Sequence, residues 1–183
     1  MAAHETLIDE ILDAAQELAQ QRGYAGFSFQ DVAAHARRPL AEIEHRYKTK
    51  EELMSAVFHR YNQEFFAALA EIVDCKGSPV ERLEGFMALV RNTLVVEDRM
   101  CLCGMMMAEA ALLPAGIRQQ TKNFTETAIA WLSDQWKLLG KSNPDNLAVT
   151  MLARLEGGML LSRVSGDVKH LDLVIADIHA DAS

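Results

Sequence analysis

A chain of 183 residues, half of them hydrophobic, can bury roughly 70% of its unfolded surface and needs no disulfide or metal to fold. Its net charge of −8 sets it apart from broadly basic nucleic-acid proteins, so any affinity for DNA must rest on local charge. Charges interrupt every apolar run before the ~18 residues of a membrane span, and the acidic start "MAAHETLIDE" lacks the order of a signal peptide. The expected compartment is the cytoplasm, with three reduced cysteines.

Ala, Leu, Met and Glu are abundant and Val/Ile/Thr runs are scarce, which favours helix. Leu7, Ile11, Ala14, Ala15 and Leu18 recur at helical spacing, and "RGYAG" stops that first helix. Ser28 with Asp31 reads as a capping box that opens a short helix through His35. Pro39 suits the first turn of a third helix, which runs to about Tyr47. Thr49 with Glu52 is a second capping box, at the head of a long helix through Leu53, Val57, Tyr61, Phe65 and Leu69 toward Val73.

"CKGSP" is the clearest break, and Ser78, Pro79 and Glu81 start a helix carrying Leu83, Phe86, Met87 and Val90. The stretch "MCLCGMMMAEAALLP" is apolar nearly all round and is expected to be buried. Pro114 divides it from a helix reaching Leu139 and Gly140. Asn143-Pro144 opens another, through Leu152, Leu155 and Leu160 to Gly166, and Asp167 caps a last one, "VKHLDLVIADIHA". This predicts an all-α fold of about nine helices. Residues 1–48 would form a helix-turn-helix head and residues 49–183 a helical body, bridged by the helix from Thr49. A plain helical bundle is the alternative.

Two short helices joined by a tight turn, with a helix before and after, form the helix-turn-helix layout. From Leu7 to Phe58 the chain resembles the N-terminal domain of the TetR family of transcriptional regulators, through "IDEILDAAQELAQQRGYAGFSFQDVAAHA" and "IEHRYKTKEELMSAVF". "RMCLCGMMMAEAALLP" and "LEGGMLLSRVSGD" are similar to one subgroup of such regulators. The resemblance implies a DNA-binding head on a helical body that dimerises through its last two long helices. It implies repression relieved when a small molecule binds the body.

The chain departs from that pattern at four places. Arg37 stands where the family usually has the glycine of the turn, and Pro39 where it has a Ser or Thr cap. Glu44 replaces a phosphate-touching Tyr, and Glu42 a small hydroxyl. Stepping 100° per residue from a core-facing Ile43 predicts a groove face of Ala41, Glu42, Glu44 and His45. From Ala36 to Lys50 the bases are Arg37, Arg38, Arg46, Lys48 and Lys50 and the acids Glu42 and Glu44, a local charge of +3. On a DNA-binding reading Arg37, Arg38, Lys48, Lys50 and Ser28 anchor the backbone with help from Gln30, while His45, Ala41 and Glu42 read bases. On the other reading the head has kept its shape and lost its groove chemistry.

In the body, Met87, Cys103, Met106, Glu109, Phe124, Trp131 and Met159 are the candidate lining of a pocket for an apolar or amphipathic effector, with ordinary core as the alternative. Glu109, if buried, needs a partner such as Arg91, Arg118 or a cationic ligand. Cys101 and Cys103 have no nearby His or Cys pair to complete a tetrahedral site, so neither a metal nor another cofactor is expected. They read as inert thiols or as an electrophile sensor. Leu155, Gly158, Leu161, Leu173 and Ile175 are the expected dimer contacts. No nucleophile elbow, HExxH, P-loop or dinucleotide fingerprint is present, and the chain is not expected to be an enzyme. The expected partners are operator DNA, a small effector and a second copy of the chain, with no membrane.

Overall fold

The computed structural model describes residues 2–182 as backbone and residues 7–182 with their side chains. Nine α-helices and no strand occur among them: α1 Ala2–Arg22, α2 Phe29–Ala36, α3 Leu40–Arg46, α4 Lys50–Cys75, α5 Pro79–Val95, α6 Leu102–Ala108, α7 Ala115–Leu138, α8 Pro144–Ser165 and α9 Lys169–Ala182. The all-α class predicted from composition and periodicity is what the chain adopts. None of these helices is long and apolar enough to cross a membrane.

Local chemistry places several of the helix starts. The Ser28 hydroxyl accepts from the Asp31 N–H and the Asp31 carboxylate accepts from the Ser28 N–H, a complete capping box on α2. Ser78 and Glu81 repeat it on α5, with Pro79 in the first turn. At α4 the box is only half built. Thr49 Oγ1 accepts from the Glu52 N–H, but the Glu52 carboxylate takes the Lys48 N–H instead of closing back on Thr49. Asp167 accepts from the Lys169 N–H at the start of α9.

The chain divides into two compact units. The first comprises Met1–Glu64 and Leu102–Lys122. Its core is built from Ile11, Ala15 and Leu18 of α1, Val32 of α2, Ile43 of α3, Leu53, Val57 and Phe58 of α4, and Leu102 and Met106 of α6, all buried. Full burial of each large side chain contributes about 1.5–3 kcal/mol before entropy is counted. α1 packs on α2 and on α6, and α2 packs on α3.

The second unit comprises Phe65–Cys101 and Asn123–Ser183. There α5 packs against the hairpin of α8 and α9. Gly158 lets that hairpin close, since a Cβ there would sit 3.1 Å from Leu171 Cδ1 and 3.3 Å from the Leu171 Cα. Ser162 Oγ accepts from the buried Leu171 N–H at 3.0 Å.

One expectation needs correcting. The stretch after Met100, expected to be buried, is buried only in part. α6 ends at Ala108, and the Glu109 and Ala110 N–H groups bond three residues back, to Met106 and Met107. Met107, Ala108 and Leu112 are exposed. The chain tightens and leaves the helix where Glu109 finds a partner outside it.

Candidate nucleic-acid interface

The turn between α2 and α3 takes the left-handed conformation that glycine favours, and it does so at an arginine: Arg37 has φ 54° and ψ 41°. Its N–H closes on the carbonyls of Ala33 and Ala34, so the turn keeps its hydrogen bonds and stores the strain of a Cβ in that region, about 1 kcal/mol. Pro39 sits just before α3 with φ −57° and supplies no side-chain cap.

α3 buries Ile43 and presents Ala41, Glu44, His45 and Arg46 to solvent. The side chains of Arg37, Glu44 and His45 form no hydrogen bond, ion pair or ring contact with any described residue, and Gln30 is exposed on α2. Glu42, expected on this face, is half-buried, with its Oε2 sealed from solvent and without a hydrogen-bond partner. The outward face is therefore Ala41 flanked by Glu44 and His45.

The anchoring set changes more. Arg38 lies on α1's Glu10, with Nε and a terminal nitrogen both 2.6 Å from Oε2. Lys48 donates to the carbonyls of Glu44 and His45 at 3.1 and 3.0 Å and so caps α3. Lys50 donates to the carbonyls of Tyr24 and Phe27, and its ammonium stands 4.8 Å and 3.8 Å from those two ring centres. Burial lowers the Lys50 pKa, and the nearby carboxylates of Glu109 and Asp31 only partly offset it. The Ser28 hydroxyl donates to Asp31 at 2.6 Å, and Ser28 holds the Asp31 carboxyl below its ordinary range. Three of the five bases between Ala36 and Lys50 thus serve the fold. Arg37 and Arg46 remain outward, Arg46 resting 5.7 Å from the Tyr47 ring centre.

The turn from α1 to α2 is held from two sides. Lys50 takes its carbonyls, and Glu109 accepts its Ala25 N–H at 3.2 Å. Gly23 has φ 77°, and a Cβ there would fall 2.6 Å from the Glu109 carboxylate. Neither Arg91 nor Arg118, the partners considered from sequence, is the residue that meets Glu109; a backbone N–H and the Lys50 charge meet it instead.

The candidate pocket residues divide between the units. Cys103, Met106 and Glu109 belong to the first, Met87, Phe124, Trp131 and Met159 to the second. Cys103 and Met106 are buried core beside α1. In the second unit Phe124 and Trp131, both candidates for the lining, join Phe65 and Phe86 in a chain of rings. Phe65 stands 4.9 Å from Phe124 and 5.9 Å from Phe86, and Phe86 stacks on Trp131 at 5.8 Å. Phe65, Phe66 and Trp131 are half-buried, while Met159 is fully buried. Spacing along three different helices hides such a cluster from a linear reading.

Of the expected dimer contacts, Leu155 and Gly158 pack inside the chain, and Leu161 and Leu173 are 55% and 68% exposed. Ile175 lines a groove of about 400 Å³ with Met87 and Ala88. The Arg91–Asp172 ion pair, 2.7 Å, and the Glu84–His179 contact, 3.0 Å, both border it.

The comparisons with known proteins agree with this architecture. Residues 11–57 match the family model for bacterial regulatory proteins of the tetR family. A TetR transcriptional regulator from Legionella pneumophila superposes with a TM-score of 0.88 at 33% identity, over 94% of this chain and 95% of that one. A TetR-family regulator from Agrobacterium tumefaciens shares the fold, with a TM-score of 0.91 at 22% identity over 97% of both chains. The chain is also 26% identical over 167 residues to the HTH-type transcriptional repressor DhaR of Mycobacterium sp. (strain GP1), spanning 83% of this chain and 80% of that protein. Regulators of this kind are DNA-binding transcription factors and not enzymes. The chain belongs to the TetR family of transcriptional regulators.

Proposed function

We propose that the chain works in the cytoplasm as a homodimeric repressor, gripping operator DNA with its paired heads and releasing it when a small apolar or amphipathic molecule occupies the body. The observation that carries the DNA part is the outward face of α3. Ala41, Glu44 and His45 are exposed, and the arginines Arg37 and Arg46 are left outward around them. The effector part is supported by the half-buried aromatic chain of Phe65, Phe66 and Trp131, in the same unit as buried Met87 and Met159, residue types suited to apolar molecules.

The test is fluorescence anisotropy of the purified protein on DNA from upstream of its own gene and on scrambled duplex, over a salt series. Each phosphate contact contributes about −0.9 to the slope of log K against log salt. With two outward arginines per head, a dimer should give a slope of roughly −4. No binding at low salt by a folded dimer would favour the second reading, a ligand-binding dimer with a disabled head. That reading draws on the bases already spent on the fold: Arg38, Lys48 and Lys50.

A further inference from the structure

We infer that Glu44 selects a cytosine in each operator half-site, accepting a hydrogen bond from its exocyclic amino group in the major groove; this rests on the DNA-binding reading above. The carboxylate is exposed, and no described residue bonds or pairs with it. At 100° per residue it lies about 60° around α3 from Ala41, which points away from buried Ile43, so it flanks the outward face on one side. Ala41 has no bulk to hold the helix away from base edges, so a carboxylate beside it reaches the floor of the groove.

What a carboxylate can meet there is limited. Phosphate oxygens and the acceptors of guanine and thymine repel it. Only the amino groups of cytosine and adenine can donate to it. Adenine sets its N7 acceptor beside that amino group, against the second carboxylate oxygen, and cytosine has no such neighbour. Glu42 does not compete for this role, because one of its oxygens is sealed inside the head. With Arg38, Lys48 and Lys50 engaged in the fold, grip on phosphate is reduced. Base contacts must then supply a larger share of operator affinity.

The experiment is selection from a randomised duplex library by the wild-type protein, by Glu44→Gln and by Glu44→Ala, with thermal melts to show that each folds. The wild type should enrich a two-fold symmetric site with one cytosine in each half that depends on Glu44. Glu44→Gln should move that position toward adenine and leave the others alone, since an amide pairs with adenine N6 and N7. Affinity of Glu44→Gln for the wild-type site should fall on the order of ten-fold per half-site. If both variants enrich the wild-type sequence, or bind every sequence more tightly, Glu44 is only a repulsive charge and the inference fails alone. If the folded wild-type dimer enriches nothing, the DNA-binding reading fails and takes this one with it.

Discussion

Arg37 and Lys50 show how a basic side chain in this head can serve the fold, the DNA or both. Arg37 holds a left-handed turn, φ 54°, with a guanidinium that no described residue engages. Arg37→Gly should relieve the backbone strain, raising stability by up to about 1 kcal/mol, because part of the gain is lost to the freer unfolded chain. It should also flatten the salt slope of DNA binding by roughly 0.9 for each head. Urea denaturation and anisotropy together measure both effects, and a stabilised variant with an unchanged slope would show that Arg37 touches no phosphate. Lys50 is the opposite case. Its ammonium satisfies the carbonyls of Tyr24 and Phe27, so Lys50→Ala leaves two half-buried acceptors short of a donor, each costing about 1–3 kcal/mol. Stability should fall while the salt slope of the folded protein stays the same. A slope flattened by about one, with stability unchanged, would return Lys50 to the phosphate contacts.

At the scale of the element, α8 carries a carboxylate in an unfavourable place. Glu156 is desolvated by burial, which raises its pKa, and a hydrogen bond from Cys101 only partly opposes this. Its Oε2 has no partner among the described residues. An acid with a raised folded-state pKa holds its proton in the native state at a pH where the unfolded chain has already lost it. Stability therefore falls as pH rises from the ordinary carboxyl pKa of 4.5 to the raised folded value, and levels off above it. Glu156→Gln removes that slope. The variant should match the wild type near pH 4 and exceed it near pH 8 in chemical denaturation. A constant difference across that range would mean that Glu156 has a full set of partners as an anion.

The helices themselves were readable because their signals are local. Ser28 with Asp31, Ser78 with Glu81, and Pro79 and Pro144 in first turns all act within three residues. What each base does was not readable. Arg38 meets Glu10, Lys50 meets the carbonyls of Tyr24 and Phe27, and Glu109 meets the Ala25 N–H 84 residues away. Counting charges along residues 36–50 gives +3 whether or not those charges are already spent. The end of α6 was hidden for the same reason. "AEAALL" favours helix, and only the distant partner of Glu109 shows why the chain turns there.

For the molecule as a whole, a net charge of −8 weakens the hold of one head on DNA, and the proposed homodimer would add the grip of a second head bound at once. On the proposed homodimer, the surface offered for pairing is in the second unit. Leu160, Leu161 and Val164 of α8 and Leu173 of α9 are 52%, 55%, 84% and 68% exposed, large apolar side chains that the described residues leave more than half uncovered. A Cβ on Gly157 would meet no atom within 4 Å, so a second helix could approach α8 closely there. In a two-fold interface one substitution counts twice. Leu161→Glu should therefore weaken the dimer by at least about 3 kcal/mol, roughly 100-fold in Kd, since two carboxylates would be buried without partners. The side chain is exposed within its own protomer, so the helical signal and the melting of the isolated chain should hardly change. Leu155→Ala is the contrast: Leu155 is buried inside the chain, and its loss should cost about 2–5 kcal/mol of folding stability. Sedimentation velocity at micromolar concentration should find Leu161→Glu folded and monomeric, and anisotropy should find it unable to hold a two-half-site operator. A Leu161→Glu protein that stays dimeric and keeps its operator would move the pairing surface off this face of α8.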